Sequence, residues 1–242
     1  QRLGTTGARN GYREAVATRS LTGPHEVPAM LTLFDYLPSQ NAWKVRQLLA
    51  HLQRPYRTQH ISIFEGEGRR PEYREISPTG TVPAIRLDDG RVLAESNAIL
   101  GFLAAGTAYL PDEPFARAKV QQWLCFEQER IESQIGTLRH WTMTGKLARR
   151  SEALVSTRRD AALKALGILD AELGTRTFVA GDAYTIADIA VFAYASHAED
   201  AGLSLQPYPH FREWLQRVRA QPGHLAEWHP YSIDPHSVGE LG

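Results

Sequence analysis

The chain has one cysteine and two methionines in 242 residues, and its 27 acidic side chains cancel its 27 basic ones. A lone thiol, Cys125, excludes an internal disulfide framework and a C-x-x-C redox pair, and it agrees with a reducing, cytoplasmic setting. Zero net charge removes the electrostatic footprint expected of a nucleic-acid partner or an anionic membrane surface. No apolar run approaches the roughly 18 residues of a spanning helix. Internal repeats and low-complexity tracts are absent. His224, His229 and His236 lack metal-ligand spacing, so no metal is expected. What is present is 43% hydrophobic and 22% charged residues, the profile of a soluble globular protein. The length suits one large domain or two of ordinary size.

Residues 1–29 read as a separate extension. Arg2, Arg9, Arg13 and Arg19 stand against only Glu14 and Glu26, with little periodicity. An Arg-rich, acid-poor leader can be a targeting segment. An expression remnant or an extension from an upstream start is the plainer reading.

From Met30 the pattern alternates. Leu31–Tyr36 reads as a buried strand, and Val45, Leu48, Leu49 and Leu52 mark one face of a helix. Tyr56–Ile63 suits a second strand and Pro71–Ile76 a short helix. Val82–Leu87 and Arg91–Ala94 form a hairpin about Asp89-Gly90, and Ser96 caps a further helix. The order βαβ-α-ββ-α predicts a mixed sheet with helices on its faces over residues 30–106. Residues 107–113 form a linker, and 114–242 form an all-helical C-terminal bundle with a tail. Its helices are expected near Phe115–Trp141, Ser151–Leu173, Ile186–Glu199 and Pro209–Ala220. Thr185 and Asp188 form a capping box, and the helix IADIAVFAYA, apolar on every side, marks the central buried helix.

Three places carry candidate chemistry. Pro83 lies in a strand-like run, where it is either an edge proline or part of a cis bend that leaves the Val82 backbone free for a ligand. Glu95-Ser96 opens a helix after a strand, so the pair either caps it or binds an amino-acid head group, the carboxylate at the helix N-terminus and the ammonium on Glu95. Ser39 opens the first helix, as a cap or as an O–H donor to an anion there. Without G-x-S-x-G it is a poor acyl-transfer nucleophile. Cys125, beside Trp123, Leu124 and Phe126, is expected to be a buried structural thiol.

The segments SQNAWKVRQLL (39–49), SPTGTVPAI (77–85), LAESNAIL (93–100) and TIADIA (185–190), with YPHFREW (208–214), resemble the glutathione S-transferase family. The likeness is greatest to bacterial and theta-like members with an active-site serine, and it covers about 30–226. The resemblance implies a thioredoxin-like N-terminal domain, cytoplasmic location, a homodimer and a role in detoxification. The co-substrate would be glutathione and the second substrate a small electrophile or peroxide. It implies that Ser39 bonds the glutathione sulfur, with Asn41 beside it. Val82, supported by a cis Pro83, would pair with the cysteinyl backbone, Thr81 beside it would also bind glutathione, and Glu95 and Ser96 would hold the γ-glutamyl group. Relatives often carry His, Gln or Lys fourteen residues before the Val, on the glycine carboxylate; here that position is Gly68, leaving Arg69 or Arg70 to take over. Tyr36 is the alternative thiol activator, and Tyr36, Arg139 and Trp141 are candidates for the electrophile pocket. Two rivals keep the fold: a non-catalytic binding module, as in translation-factor subunits, and a glutathione-dependent disulfide reductase or isomerase.

Overall fold

The structure is a computed structural model and describes residues 30–231. The extension 1–29 and His236 lie outside the described residues. Among those described, β1 (Leu31–Asp35), β2 (Arg57–His60), β3 (Ala84–Leu87) and β4 (Val92–Ala94) form one sheet in the order β2-β1-β3-β4. β1 runs parallel to β2 and antiparallel to β3, which pairs antiparallel with β4. The N-terminal half is therefore the mixed sheet that its element order predicts, in the thioredoxin-like arrangement that the resemblance implies.

Alternation along β1 explains why both faces of the sheet are covered. Leu31 and Leu33 enter a large core with α1 (Gln40–His51) and α3 (Ser96–Ala104). Phe34 and Tyr36 enter a smaller one with Tyr73 of α2 (Pro71–Arg74). Strand side chains point alternately to opposite faces, so each set reaches its own layer. β2 is shorter than the Tyr56–Ile63 run suggests, and all four of its residues are exposed. A polar RTQH edge strand needs only one neighbour.

The helical half begins with α4 (Pro114–Phe126), capped by Glu113, whose carboxylate accepts the N–H groups of Phe115 and Ala116 at 2.9 and 2.6 Å. The expected α-helix to Trp141 is not uniform. Glu127–Gly136 is wound as a π-helix before α5 (Thr137–Met143) resumes. π-turns inside helices are frequent at functional sites. Gly136 has a local reason to be glycine, because a Cβ there would lie 2.8 Å from the Tyr194 ring. Cys125 corrects the buried-thiol expectation: it is exposed, on the outward face of α4 with Gln121 and Gln122, while Trp123 and Leu124 turn inward.

α6 (Glu152–Leu173) packs on α8 (Pro209–Arg219), and α7 (Ile186–Ala195), all ten of whose residues are buried, lies chiefly against α1, α4 and the π-wound segment. α7 stops at Ala195, short of the expected Glu199. The capping box forms: the Ala187 N–H reaches Thr185 Oγ1 at 3.2 Å, and the Thr185 N–H reaches Asp188 Oδ2 at 3.0 Å. Such a cap contributes about 0.5–2 kcal/mol. Asp188 also accepts from Val179 N–H at 3.0 Å and Trp214 Nε1 at 2.9 Å, tying three elements to one carboxylate. No helix among the described residues is long and apolar enough to cross a membrane.

Candidate functional site

The loop after β1 turns at Ser39, whose N–H donates to Tyr36 O at 2.8 Å. Ser39 is the N-cap of α1, and its Oγ accepts the Ala42 N–H at 3.2 Å. That bond uses the oxygen and leaves the hydroxyl proton to donate. The side chain is nearly buried at the wall of a cleft of about 420 Å³. The first turn of α1 holds no acidic residue to offset the positive end of the helix.

Thr81 and Val82 line the same cleft. The Thr81 carbonyl is held by Tyr73 Oη at 2.8 Å and Ser77 Oγ at 2.9 Å. Val82–Pro83 is cis, and Val82 makes no backbone hydrogen bond among the described residues. Its N–H and C=O are therefore available to a partner in the cleft.

A smaller chamber of about 170 Å³ adjoins this one and is lined by Glu95 and Ser96. Asn41, Thr81, Val82, Gln128 and Glu132 border both. Ser96 is the first residue of α3 rather than its cap; Glu95 holds the cap position, at φ 70°. A non-glycine residue there costs of order 1–3 kcal/mol, and such strain clusters at binding sites. Ser96 Oγ donates to Asn41 Oδ1 at 3.1 Å, and Asn41 Nδ2 donates to Glu132 Oε1 at 2.6 Å.

Beneath them lies a group of charges that periodicity does not reveal. Lys44 is fully buried, 2.9 Å from Glu127 Oε2, 3.7 Å from Glu132 Oε2 and 3.5 Å from Ser96 Oγ. Burial pushes the Glu127 carboxyl up, and Lys44 pulls it back down. Within the run EQERIE (127–132), Glu127 and Ile131 are buried and Glu132 is half-buried, while Gln128, Glu129 and Arg130 stay exposed; the π-wound segment packs against α6 and α7. His140 and Tyr231 also line the cleft and were not expected there. Their only sequence signal is their chemistry, which any surface His or Tyr shares.

Four expected residues stand away from both chambers. Tyr36 is buried with its ring 5.4 Å from Phe64 and 5.8 Å from His60. Arg139 is fully buried, 3.3 Å from Asp200. Trp141 is packed under the guanidinium groups of Arg150 and Arg158, at 4.6 and 5.3 Å from the ring centre. Arg69 is exposed and lines neither chamber.

Residues 38–105 match the family model of the glutathione S-transferase N-terminal domain, and residues 122–222 match that of the C-terminal domain. The chain belongs to the glutathione S-transferase family. It is 35% identical to a glutathione S-transferase from Pseudomonas fluorescens Pf-5 whose structure is solved, with TM-score 0.78, over 81% of this chain and 97% of that one. Among curated relatives, Glutathione S-transferase GstB of Escherichia coli K12 is 27% identical over 80% of this chain and 95% of its own. Disulfide-bond oxidoreductase YfcG of the same strain is 28% identical over 80% and 92%. The N-terminal transferase match spans Ser39, Val82, Glu95 and Ser96. The C-terminal match includes Lys44's partners Glu127 and Glu132 but ends before Tyr231.

Proposed function

We propose that this chain binds glutathione across the two chambers and activates its thiol for attack on an electrophile or a peroxide. The observation that carries this reading is the placement of Ser39 Oγ at the N-terminus of α1, in a cleft that also presents the Val82 backbone and adjoins Glu95 and Ser96.

In this reading the γ-glutamyl group enters the smaller chamber. Its carboxylate meets Ser96 and the start of α3, and its ammonium meets Glu95. The cysteinyl N–H and C=O pair with the Val82 backbone, which brings the sulfur to Ser39. A thiol of pKa ~8.5 needs a shift of roughly 2 units, about 2.7 kcal/mol, to be mostly thiolate at neutral pH. A hydrogen bond to a charged sulfur contributes about 1.5–3 kcal/mol, and the helix end about 0.3–1. Ser39 and α1 together supply that shift. The thiol proton leaves to water, the sulfur lone pair forms the new bond, and the displaced group departs with its bonding electrons. The protein forms no covalent bond of its own.

The same reading places the active form as a homodimer in the cytoplasm, consistent with the family and with the lone cysteine. A turnover panel of glutathione with aryl halides, organic hydroperoxides and mixed disulfides tests the reaction. Conjugation or peroxide reduction is expected. Turnover of disulfides alone would favour the chemistry named for YfcG. No turnover together with no rise in melting temperature on adding glutathione would overturn the proposal.

A further inference from the structure

The segment after α8 is strapped along α1. Gln47 Nε2 donates to Gly223 O at 3.0 Å, and Leu225 N–H donates to Gln47 Oε1 at 2.7 Å. Trp43 Nε1 donates to Leu225 O at 3.2 Å, and Arg46 Nε donates to Glu227 Oε1 at 2.7 Å. Between this strap, α1 and the end of α7 lies a separate cavity of about 420 Å³. It shares no lining residue with either chamber described above. Gln40 borders it from the first turn of α1, while Ser39 and Asn41 border the thiol cleft.

The cavity has an aromatic floor. Trp43 and Phe192 are buried with ring centres 5.5 Å apart, and His224 stands edge-on to both, at 5.8 and 5.1 Å. Its charges are unequally used. Arg219 lies over the Phe192 ring at 5.7 Å and makes no ion pair or hydrogen bond among the described residues. Burial, then the Arg219 charge, holds the His224 imidazole below its usual range. Burial, then the Arg139 charge, does the same for His197. Both rings are therefore neutral near pH 7, and Arg219 supplies the positive charge. Asp200 Oδ2 accepts from His197 Nδ1 at 2.8 Å and from Arg139 Nε at 3.3 Å, which leaves Oδ1 uncommitted among the described residues. Glu227 gives Oε1 to Arg46, and its Oε2 lies 3.7 Å from His229 Nε2, beyond hydrogen-bond reach. One unpaired guanidinium and two unused carboxylate oxygens thus border one aromatic slot.

We propose that this cavity is a second binding site, which takes an aromatic α-amino acid with its ring on Trp43 and Phe192, its carboxylate on Arg219 and its ammonium on Asp200 and Glu227. A guanidinium only donates and a carboxylate only accepts. An aromatic acid would therefore leave both carboxylate oxygens unmatched, and an aromatic amine would leave the guanidinium so. A zwitterion answers all three groups, and the charge-assisted bonds at its two ends fix the ring between them. Offset or edge-to-face ring contacts suit the tilted floor. The occupant touches the strap and α1 together, so it holds the one against the other. Binding here involves no thiol and stands apart from the glutathione reading above.

The test is calorimetric titration of the full chain with L-phenylalanine and three analogues that each lack one part. These are 3-phenylpropionate without the ammonium, phenethylamine without the carboxylate, and L-alanine without the ring. L-Phenylalanine is expected to bind at least tenfold more tightly than any of the three, a difference of about 1.4 kcal/mol. Saturating glutathione is expected to change its Kd less than threefold. Arg219 is exposed, and Arg219→Gln is expected to weaken L-phenylalanine at least tenfold while Arg219→Lys restores part of the loss. If Arg219→Gln fails to fold, the four-ligand comparison on the unaltered chain decides alone. Equal affinity for L-phenylalanine and any analogue, no binding at millimolar concentration, or displacement by glutathione would overturn the site and leave the transferase reading untouched.

Discussion

Gly68 and Gly80 meet backbone to backbone: a Cβ on Gly68 would lie 2.1 Å from the Gly80 carbonyl oxygen, and one on Gly80 would lie 2.2 Å from that of Gly68. This contact explains why position 68 lacks the His, Gln or Lys implied by the family resemblance. The short helical turns 63–65 and 67–69 pack their backbone onto the loop before Thr81 and leave no room for a side chain. Gly68→Gln is expected to destabilise the fold by about 1–3 kcal/mol, the range for forced overpacking. Urea denaturation checks it; an unchanged midpoint would mean that the loop yields freely and that a side chain at 68 is tolerated.

Glu95 is exposed at the rim of the smaller chamber at positive φ. Ala carries a Cβ as Glu does, so Glu95→Ala keeps the backbone strain and removes only the charge. Glutathione affinity is expected to fall by about 1.5–3 kcal/mol, the worth of a charged hydrogen bond, with little change in stability. Calorimetric titration showing wild-type affinity would move the ammonium site elsewhere.

Ser39 has two jobs, capping α1 and donating to the sulfur. Ser39→Ala is expected to lower turnover at least tenfold and to raise the pKa of bound thiol by about 1–2 units, from loss of a charge-assisted bond. Loss of the cap adds about 0.5–2 kcal/mol of destabilisation. Thiolate absorbance titrated in the glutathione complex reports the pKa directly. An unshifted value there, with a raised one in Tyr36→Phe, would hand the role to the tyrosine.

Asp188 is a fully buried carboxylate whose titration ties stability to pH. Burial pushes it from 3.8 up to about 6, against the pull of its four donors. The native state therefore holds the proton more tightly than the unfolded chain does. Its contribution is fully present below about pH 4 and is lost as pH rises towards 6; above that it is flat. Asp188→Asn does not titrate, so the stability of wild type relative to it should shrink by roughly 2 kcal/mol between pH 4 and pH 7. Denaturation at both pH values measures this. Wild type gaining on the variant as pH rises would show that the four donors outweigh burial.

Much of this was legible because it rests on local patterns. The βαβ-α-ββ-α order, the capping box at Thr185 and the buried α7 follow from periodicity and cap chemistry, and the structure has all three. Ser39, Val82, Glu95 and Ser96 sit at the ends of elements, where sequence patterns are most informative, and the structure brings them to adjoining chambers. What escaped depends on contacts distant in sequence. Lys44 sits on a helix read for its apolar face, and its partner Glu127 lies 83 positions later in a segment whose winding no propensity announces. Arg139 and Trp141 lie buried on α5 and line neither chamber, although His140 between them lines the cleft. Cys125 was read from its apolar neighbours, although adjacent helical residues face different ways.

The large core crosses the boundary that composition suggests near residue 107. Trp43 of α1 lies 5.5 Å from Phe192 of α7, and Leu48, Ile99, Leu166 and Ala190 belong to one continuous cluster. The two halves are thus separable as patterns and not as cooperative units. An exchange of halves with a relative would join two surfaces shaped for other partners. A working chimera would need the inward face of α1 to travel with the helical half it packs against.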